Sequence, residues 1–210
     1  MLYFVNMVQT GQLILSPLET ILLVVDIQKD FLGANPGFVF HDAKIDTSGM
    51  REMVNNSLVP FILYSLKEKT HVAYVQAEYP AGKFPNPYGR LCSASPGTGF
   101  YAIDKIPEAE KVKIFSKSEY DIFTNQDLAR NILENNITNA IVAGITTTSC
   151  INAALSSTLA PSGLRLIVPK NVVGHRKEQE EKAQTILASY SNAENQRVMI
   201  ISDWRQIIYR

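Results

Sequence analysis

The sequence predicts an α/β fold of three layers, in which helices cover both faces of a parallel sheet. Two observations predict it. Six short apolar runs are nearly continuous, which is typical of strands buried on both faces. Segments with helical spacing of apolar residues separate most of these runs, and this alternation is the pattern of parallel α/β sheets.

The strands are predicted at the six apolar runs. The first run, Ile21–Asp26, has five apolar residues in succession and then a carboxylate. The other five runs, in chain order, are His71–Gln76, Val112–Phe115, Asn139–Gly144, Leu164–Val168 and Arg197–Ile201. Each is four to eight residues long, the usual length of a buried strand.

The helices are predicted from capping residues and from apolar spacing. Ser57 is expected to cap a helix that has Pro60 in its first turn, and Thr124 to cap the next one. Three more are predicted, in chain order, from Cys150 to Pro161, from Lys177 to Tyr190 and, as a short final helix, from Trp204 to Tyr209. The Pro- and Gly-rich stretch 79–107 is predicted to be a long loop, and such loops are usually functional.

The chain is predicted to form a single domain over residues 19–210, because it has the length of one domain and no linker. Residues 1–18 are predicted to be an N-terminal arm lying on this domain or on a neighbouring subunit. The apolar start of the arm lacks the basic segment of a signal peptide and is too short to span a bilayer.

The charge and cysteine content narrow the classes of partner. Lys plus Arg number 20 and Asp plus Glu number 20, so the net charge is zero. With no basic patch or charge run, neither nucleic acid nor a membrane is expected as a partner. Two cysteines do not make a disulfide framework, and a reducing, cytoplasmic location is expected.

Three chemically reactive side chains follow predicted strands. Asp26 ends the first strand, Lys117 lies just past the third, and Cys150 follows the fourth. The carboxyl ends of parallel strands meet at one edge of the sheet, where ligands bind in such folds. We therefore expect the three side chains to lie close together.

Cys150 is the candidate nucleophile because the helix after the fourth strand should begin near it. The N–H groups of a helix start can lower the pKa of a thiol from about 8.5 to roughly 3.5–7.5. Asp26 could exchange the proton of the thiol, and the charge of Lys117 could favour both anions. Taken singly, each residue also fits a plainer interpretation: Cys150 as a small buried side chain, Asp26 as a turn residue and Lys117 as a solvated lysine.

Three segments together resemble the isochorismatase-like hydrolases, a family that includes cysteine amidases. Asp26–Phe31 matches the motif D-x-Q-x-D-F, and Lys117–Phe123 matches K-x-x-Y-x-x-F. Gly144–Ile151 resembles the Gly- and Thr-rich segment that leads into the nucleophilic cysteine. Weaker matches are Pro96–Gly99 and Val172–Arg176, and the resemblance covers about residues 20–203.

The resemblance implies a six-stranded parallel sheet in the order 3-2-1-4-5-6 and a catalytic triad of Asp26, Lys117 and Cys150. It also implies a cis peptide bond between Ile145 and Thr146, which would direct the N–H groups of Thr146 and Cys150 into an oxyanion hole. Gln28, Phe31 and Tyr120 are the candidate substrate-binding residues. Family members are commonly dimers or larger, so a homo-oligomer, a dimer or a tetramer, is expected.

No metal and no cofactor are predicted. The nicotinamidase branch of the family resembles a metal enzyme, with an Asp-x-His motif and a further His after the second strand. The corresponding stretch here, Gln76–Pro80, contains no His, and His41, His71 and His175 are too scattered to be a recognisable ligand set. Cys92 is expected to be a bystander, since no base stands beside it in the sequence.

The leading hypothesis is a metal-free cysteine hydrolase that cleaves a C–N bond of a small amide, carbamoyl or ureido substrate. Isochorismatase-type hydrolysis of a vinyl ether is an alternative, although it needs no thiol. A catalytically idle family member that acts as a binding protein is a second alternative, because a fold does not guarantee a function.

Overall fold

A parallel sheet runs through the centre of the protein, and its strands lie where the apolar runs predict them. The computed structural model describes residues 11–106, 109, 112–191 and 197–210. In chain order the strands are β1 (Leu13–Leu15), β2 (Thr20–Val25), β3 (His71–Ala77), β4 (Lys113–Lys117), β5 (Asn139–Ile145), β6 (Arg165–Pro169), β7 (Val173–Gly174), β8 (Val198–Ile201) and β9 (Ile207–Tyr209).

The order of the main sheet is β4-β3-β2-β5-β6-β8, and its pairings are parallel. This confirms the predicted order 3-2-1-4-5-6 of the six main strands. The two-residue strand β7 is a seventh member of the sheet, which the sequence did not predict. It pairs with the carboxyl end of β5, where Ile145 is in register with Gly174.

Strand β2 explains why the apolar runs are continuous. All six of its residues are buried. Leu22 and Val24 pack into the core on one face of the sheet, whereas Ile21, Leu23 and Val25 pack into the core on the other. Successive side chains of a strand point to opposite faces, so a strand between two helical layers needs apolar residues at every position.

The helices cover both faces of the sheet. They are α1 (Lys29–Leu32), α2 (Val39–Asp42), α3 (Ser48–Met53), α4 (Val59–Lys67), α5 (Gln126–Glu134), α6 (Asn152–Ser156) and α7 (Glu180–Ser191). In the described part of the chain, none of them has the length and hydropathy that crossing a bilayer would require.

The predicted start of a helix at Ser57 is wrong, because the helix already begins at Ser48. A π-helical segment, Val54–Leu58, joins α3 to α4, and the N–H of Val59 donates to the carbonyl of Val54, five residues back. Pro60, which has no N–H to give, is the second residue after this wider turn. A proline that resembled a helix start thus lies in the middle of a longer helix.

Two other helix boundaries also need correction. Asn125, rather than Thr124, caps α5, because its side chain accepts from the N–H of Leu128 at 2.8 Å. The helix after Cys150 ends at Ser156, earlier than the predicted stop at Pro161.

The predicted final helix is wrong beyond Gln206. Trp204–Gln206 forms a single 3-10 turn, and Ile207–Tyr209 is a strand, β9, that pairs in parallel with β1. The side chains of Ile207 and Tyr209 are buried and that of Ile208 is half-buried, which is the two-residue period of a strand. The pairing takes up residues 13–15 of the predicted arm; residues 1–10 lie outside the described residues, and the boundary at residue 18 stays a prediction.

Candidate active site

The carboxyl ends of β2, β4 and β5 bring Asp26, Lys117 and Cys150 together. Lys117 is the last residue of β4, Asp26 follows β2, and Cys150 lies in a π-helical turn, Thr147–Ile151, after β5. Nζ of Lys117 lies 2.9 Å from Oδ2 of Asp26 and 3.4 Å from Sγ of Cys150. It also donates to the carbonyl of Glu119 at 3.2 Å. The expected convergence at one edge of the sheet is therefore found.

The backbone around Asp26 is tightly constrained. Asp26 has a φ of +54°, in the left-handed region, which Asp tolerates better than most residues do. On the neighbouring strand, Gly144 has a φ of +116°, and a Cβ there would lie 2.1 Å from the carbonyl oxygen of Val25. Only glycine lets β5 approach the end of β2 this closely.

The Lys117–Asp26 pair is almost completely removed from water. The two side chains are 0% and 1% exposed. Oδ2 of Asp26 binds Lys117, whereas the buried Oδ1 has no hydrogen-bond partner of normal geometry among the described residues. Since buried carboxylate oxygens are normally paired, Oδ1 is the atom best suited to exchange a proton with a thiol or a bound water.

Burial raises the pKa of the Asp26 carboxyl, and the ammonium of Lys117 opposes this shift. For Lys117, burial acts to lower the pKa, but the negative charge of Asp26 and the hydrogen bonds from Nζ to Asp26 and Cys150 outweigh it, so the pKa is raised. The lysine therefore keeps its charge inside the protein.

The expected lowering of the Cys150 pKa is wrong. Burial and the nearby carboxylate of Asp26 raise the pKa of the thiol to about 12, although Lys117 pulls it down. Cys150 is only 4% exposed, so the loss of hydration outweighs what a helix start can supply. The resting site thus holds a protonated thiol, which needs a base to become a nucleophile.

The turn that carries Cys150 begins at the expected cis peptide bond between Ile145 and Thr146. The carbonyl of Thr146 accepts from the N–H groups of Ser149 and Ile151, at 3.1 and 3.2 Å. The hydroxyl of Thr146 hydrogen-bonds with that of Ser149. Thr146 is thus held on both its carbonyl and its side chain beside Cys150; the oxyanion hole of Thr146 and Cys150 stays a prediction.

A cavity of about 340 Å³ opens over Asp26 and Cys150, and Lys117 lies behind them. Six aromatic side chains line it: Phe31, Phe40, Tyr79, Phe84, Tyr88 and Tyr120. Phe31 and Tyr120 are among them, and their role in binding substrate stays a prediction. Most of this wall comes from the chain after α1 and from the long loop after β3, as the long loop at 79–107 led us to expect.

Gln28 does not line the cavity, and its predicted contact with substrate is corrected to a structural role. It is completely buried. Its Nε2 donates to the carbonyls of Ala77 and Thr98, at 3.0 and 3.2 Å, and its Oε1 accepts from the N–H of Ala77 at 2.8 Å. Because every polar atom of the amide is used, Gln28 joins the end of β3 to the long loop.

Asp30 performs a similar task that the sequence analysis missed. Its Oδ1 accepts from the N–H of Val39 at 3.1 Å, and its Oδ2 accepts from the N–H of Cys92 at 2.7 Å. One buried carboxylate thus joins the two loops that form the cavity wall. Burial raises the pKa of the Cys92 thiol, as it does for Cys150, and the bystander role of Cys92 stays a prediction. The sequence could have indicated a role for Asp30, since this residue belongs to the D-x-Q-x-D-F motif.

The mouth of the cavity carries a polar group that the sequence analysis also missed. Arg176, Gln179 and Lys182 line it together with Thr148. Thr148 Oγ1 donates to Oε1 of Gln179 at 2.8 Å, which ties this group to the turn before Cys150. Arg176 belongs to a weakly matching segment and could have been suspected, whereas Lys182 lies in an ordinary polar helix.

Comparison with known proteins places the chain by family and by fold. A family model described as the isochorismatase domain matches residues 20–202. No curated protein matches the chain significantly.

Solved structures share the fold at low sequence identity. A cysteine hydrolase from Pseudomonas syringae pv. phaseolicola 1448A is similar at 16% identity, with a TM-score of 0.69 over 89% of this chain and 90% of that one. An isochorismatase from Pseudomonas putida KT2440 is similar at 17% identity, with a TM-score of 0.69 over 92% of each chain. A pyrazinamidase of Pyrococcus horikoshii in complex with zinc is similar at 24% identity, with a TM-score of 0.66 over 87% of this chain and 98% of that one.

The described residues do not fit a zinc site like that expected of the nicotinamidase branch. No three His, Cys, Asp or Glu side chains in this part of the chain are grouped to hold a metal ion. His71 begins β3 at the opposite edge of the sheet, and His41 and His175 pair with Asp42 and Glu180. The aromatic ring of Tyr79, rather than an imidazole, lies beside Lys117, with Nζ 5.7 Å from its centroid.

Proposed function

The chain belongs to the isochorismatase family, and from that premise we propose that it is a metal-independent cysteine hydrolase. Its substrate is a small amide, carbamoyl or ureido compound, and the reaction cleaves a C–N bond through a thioester. Cys150 is the nucleophile, Asp26 transfers protons, and Lys117 supplies a fixed positive charge.

One observation carries the proposal: Nζ of Lys117 lies 2.9 Å from Oδ2 of Asp26 and 3.4 Å from Sγ of Cys150, below an open cavity. A lysine in this position stabilises a carboxylate and a thiolate together. A buried ion pair contributes little to stability compared with apolar packing, so its place beneath a cavity favours a chemical role.

In the first half of the reaction, Asp26 takes the proton of the Cys150 thiol and sulfur forms a bond to the carbonyl carbon. The raised pKa of the thiol means that this transfer accompanies attack instead of preceding it. The N–H groups of Thr146 and Cys150 stabilise the oxyanion. Asp26 then gives its proton to the nitrogen, the C–N bond breaks, and ammonia or an amine leaves.

In the second half, water enters and Asp26 takes one of its protons. The hydroxyl oxygen forms a bond to the thioester carbon, the C–S bond breaks, and the proton returns to sulfur. Asp26 suits both halves because the raised pKa of its carboxyl keeps it closer to the working pH than an exposed Asp.

The shape and charge of the cavity favour a particular kind of substrate. A volume of about 340 Å³ suits a small molecule, and the aromatic wall favours an apolar or planar body. Arg176 and Lys182 at the mouth favour a negatively charged group at the far end of the substrate. N-carbamoyl amino acids and acidic ureides have this arrangement.

The test is ammonia release from small primary amides, N-carbamoyl amino acids and ureides. Cys150→Ala should abolish release, whereas the matched change at the other cysteine, Cys92→Ala, should retain it. With an amide substrate, hydroxylamine should divert the thioester to a hydroxamate, and with a carbamoyl or ureido substrate it should divert the corresponding thiocarbamate to an N-hydroxyurea. Intact-protein mass spectrometry of quenched reactions should show the acyl or carbamoyl group on Cys150.

Release that persists in Cys150→Ala would overturn the proposed mechanism. Hydrolysis of isochorismate with no activity on any amide would favour vinyl ether chemistry instead. A folded protein that hydrolyses neither isochorismate nor any amide would favour the catalytically idle binding protein.

A further inference from the structure

A second hydrogen-bonded chain lies behind the turn that carries Cys150. Oε2 of Glu180, at the start of α7, lies 2.7 Å from Nε2 of His175. Nδ1 of the same ring lies 3.3 Å from Oγ1 of Thr147. Thr147 is completely buried and opens the turn, three residues before Cys150. His175 is mostly buried, with its side chain 14% exposed.

The direction of these hydrogen bonds follows from what each group can donate. Thr147 has one hydroxyl proton, and Oγ1 donates it to the carbonyl of Gly174 at 3.1 Å. Nδ1 of His175 must then be the donor to Oγ1. The hydrogen bond from His175 lowers the pKa of Glu180, so that carboxylate is ionised and only accepts. Glu180 thus holds the ring from its Nε2 side, and Thr147 holds it from its Nδ1 side.

We propose that His175 is a positioning residue that, anchored by Glu180, fixes Thr147 and the turn that presents Cys150. The proposal rests on the proposed function for its effect on turnover, but not for the two hydrogen bonds of the ring. His175 touches neither substrate nor the reacting atoms in this assignment. It acts through Thr147.

The charged groups around His175 come from four places. Glu180 belongs to α7, and Lys177 to the preceding 3-10 turn. Asp46, before α3, lines with them the cavity of about 330 Å³ beside His175, and its Oδ1 accepts from the N–H of Ser48 at 2.9 Å. Next to His175 in sequence, Arg176 pairs with Glu178, with Nε 3.4 Å from Oε1. Glu180 is thus the acid that hydrogen-bonds to the ring, whereas the neighbouring Arg176 and Glu178 pair with each other.

The two hydrogen bonds are tested directly by nitrogen NMR of the full chain labelled with 15N-histidine. Of the three imidazoles, the one that disappears in His175→Gln should also be the one whose ring-nitrogen shifts change in Thr147→Val. Glu180→Gln should change the shift of its Nε2, whereas Glu181→Gln, the same change one residue along α7, should not. Ring-nitrogen shifts that stay the same in Glu180→Gln would overturn the assignment.

The positioning role is tested by kinetics on the same variants. Glu180→Gln and Thr147→Val should lower kcat by about 10-fold or more with KM nearly unchanged, because a displaced nucleophile slows attack and not binding. Turnover of Glu180→Gln equal to that of Glu181→Gln would overturn the role. If no substrate is turned over by any form, the proposed function fails while the NMR result still decides whether the two hydrogen bonds of the ring exist.

Discussion

Lys117 and Asp26 form an ion pair inside the protein, with Nζ 2.9 Å from Oδ2 and with side chains that are 0% and 1% exposed. Each charge is hidden from water and depends on the other for compensation. Removing one partner leaves an isolated buried charge, which is far costlier than losing the pair as a whole. The candidate active site is thus also a place where the stability of the fold is sensitive to substitution.

Asp26→Asn and Lys117→Met should each lower the free energy of unfolding by about 3–5 kcal/mol. The double variant should be less destabilised than the sum of the two changes, because it leaves no unpaired charge. Urea unfolding of the four forms measures the coupling. Asp127→Asn, which breaks an exposed pair with Arg130, is the control and should cost at most about 1 kcal/mol. Additive effects at Asp26 and Lys117 would contradict the buried pair.

Stability should fall on the alkaline side because of Cys150. Its pKa is about 12 in the folded protein and 9.0 for an ordinary thiol. Between these values the folded state keeps a proton that the unfolded chain has lost. The free energy of unfolding that depends on this proton is therefore fully present below about pH 9 and declines as the pH rises toward 12. In Cys150→Ser, which does not titrate there, the slope should be shallower by up to about 1.4 kcal/mol per pH unit. Urea unfolding from pH 8 to 10 measures it, and equal slopes would contradict the buried thiol.

The parts of the site that the sequence predicts are those that depend on strand ends. Continuous apolar runs identify β2 and β5, and parallel strands must deliver Asp26 and Cys150 to the same edge. The pKa of Cys150 could not be predicted this way, because it depends on how completely two long loops exclude water. Lys182 reaches the cavity through the angle at which α7 packs, and β1 pairs with β9 across almost the whole chain. Neither relation leaves a local pattern in the sequence.

Asp30 should control the shape of the cavity without taking part in the chemistry. Asp30→Ala leaves the N–H groups of Val39 and Cys92 unpaired, at about 1–3 kcal/mol each. We expect faster hydrogen exchange of these two amides and a higher KM with a smaller change in kcat. Asp30→Asn keeps one acceptor and should show roughly half the loss of stability. Unchanged exchange at both amides would show that the two loops are held by other contacts.

Gly144 should tolerate no side chain. Gly144→Ala combines an unfavourable φ of +116° with a Cβ only 2.1 Å from the carbonyl oxygen of Val25. We expect a loss of more than about 3 kcal/mol or failure to fold. Gly163→Ala is the matched control, since Gly163 also has a positive φ, +80°, but no atom within 4 Å of the added carbon, and it should cost only about 1–2 kcal/mol. Thermal unfolding compares the two, and equal effects would mean that the backbone angle alone matters.

Arg176 and Lys182 should select for negatively charged substrates. Both line the mouth of the cavity, where the acid in the lining, Asp26, is buried against Lys117. Arg176 also pairs with Glu178, but that pair is partly exposed to solvent, with Nε 3.4 Å from Oε1, so an anionic substrate can compete for the guanidinium. Arg176→Gln and Lys182→Gln should each raise KM for an N-carbamoyl amino acid by about 5–10-fold, the loss of roughly 1 kcal/mol of partly screened attraction, with kcat little changed.

A neutral amide of similar size should show no change in KM in these variants, because it has no charge for the mouth to attract. Lys177→Gln is the matched control, since Lys177 lies between these two residues in the sequence but lines the cavity beside His175. It should leave KM for both substrates unchanged, and increasing salt should weaken binding of the charged substrate alone. Equal rises of KM for the charged and the neutral substrate would mean that the two cations support the shape of the mouth and do not bind an anion.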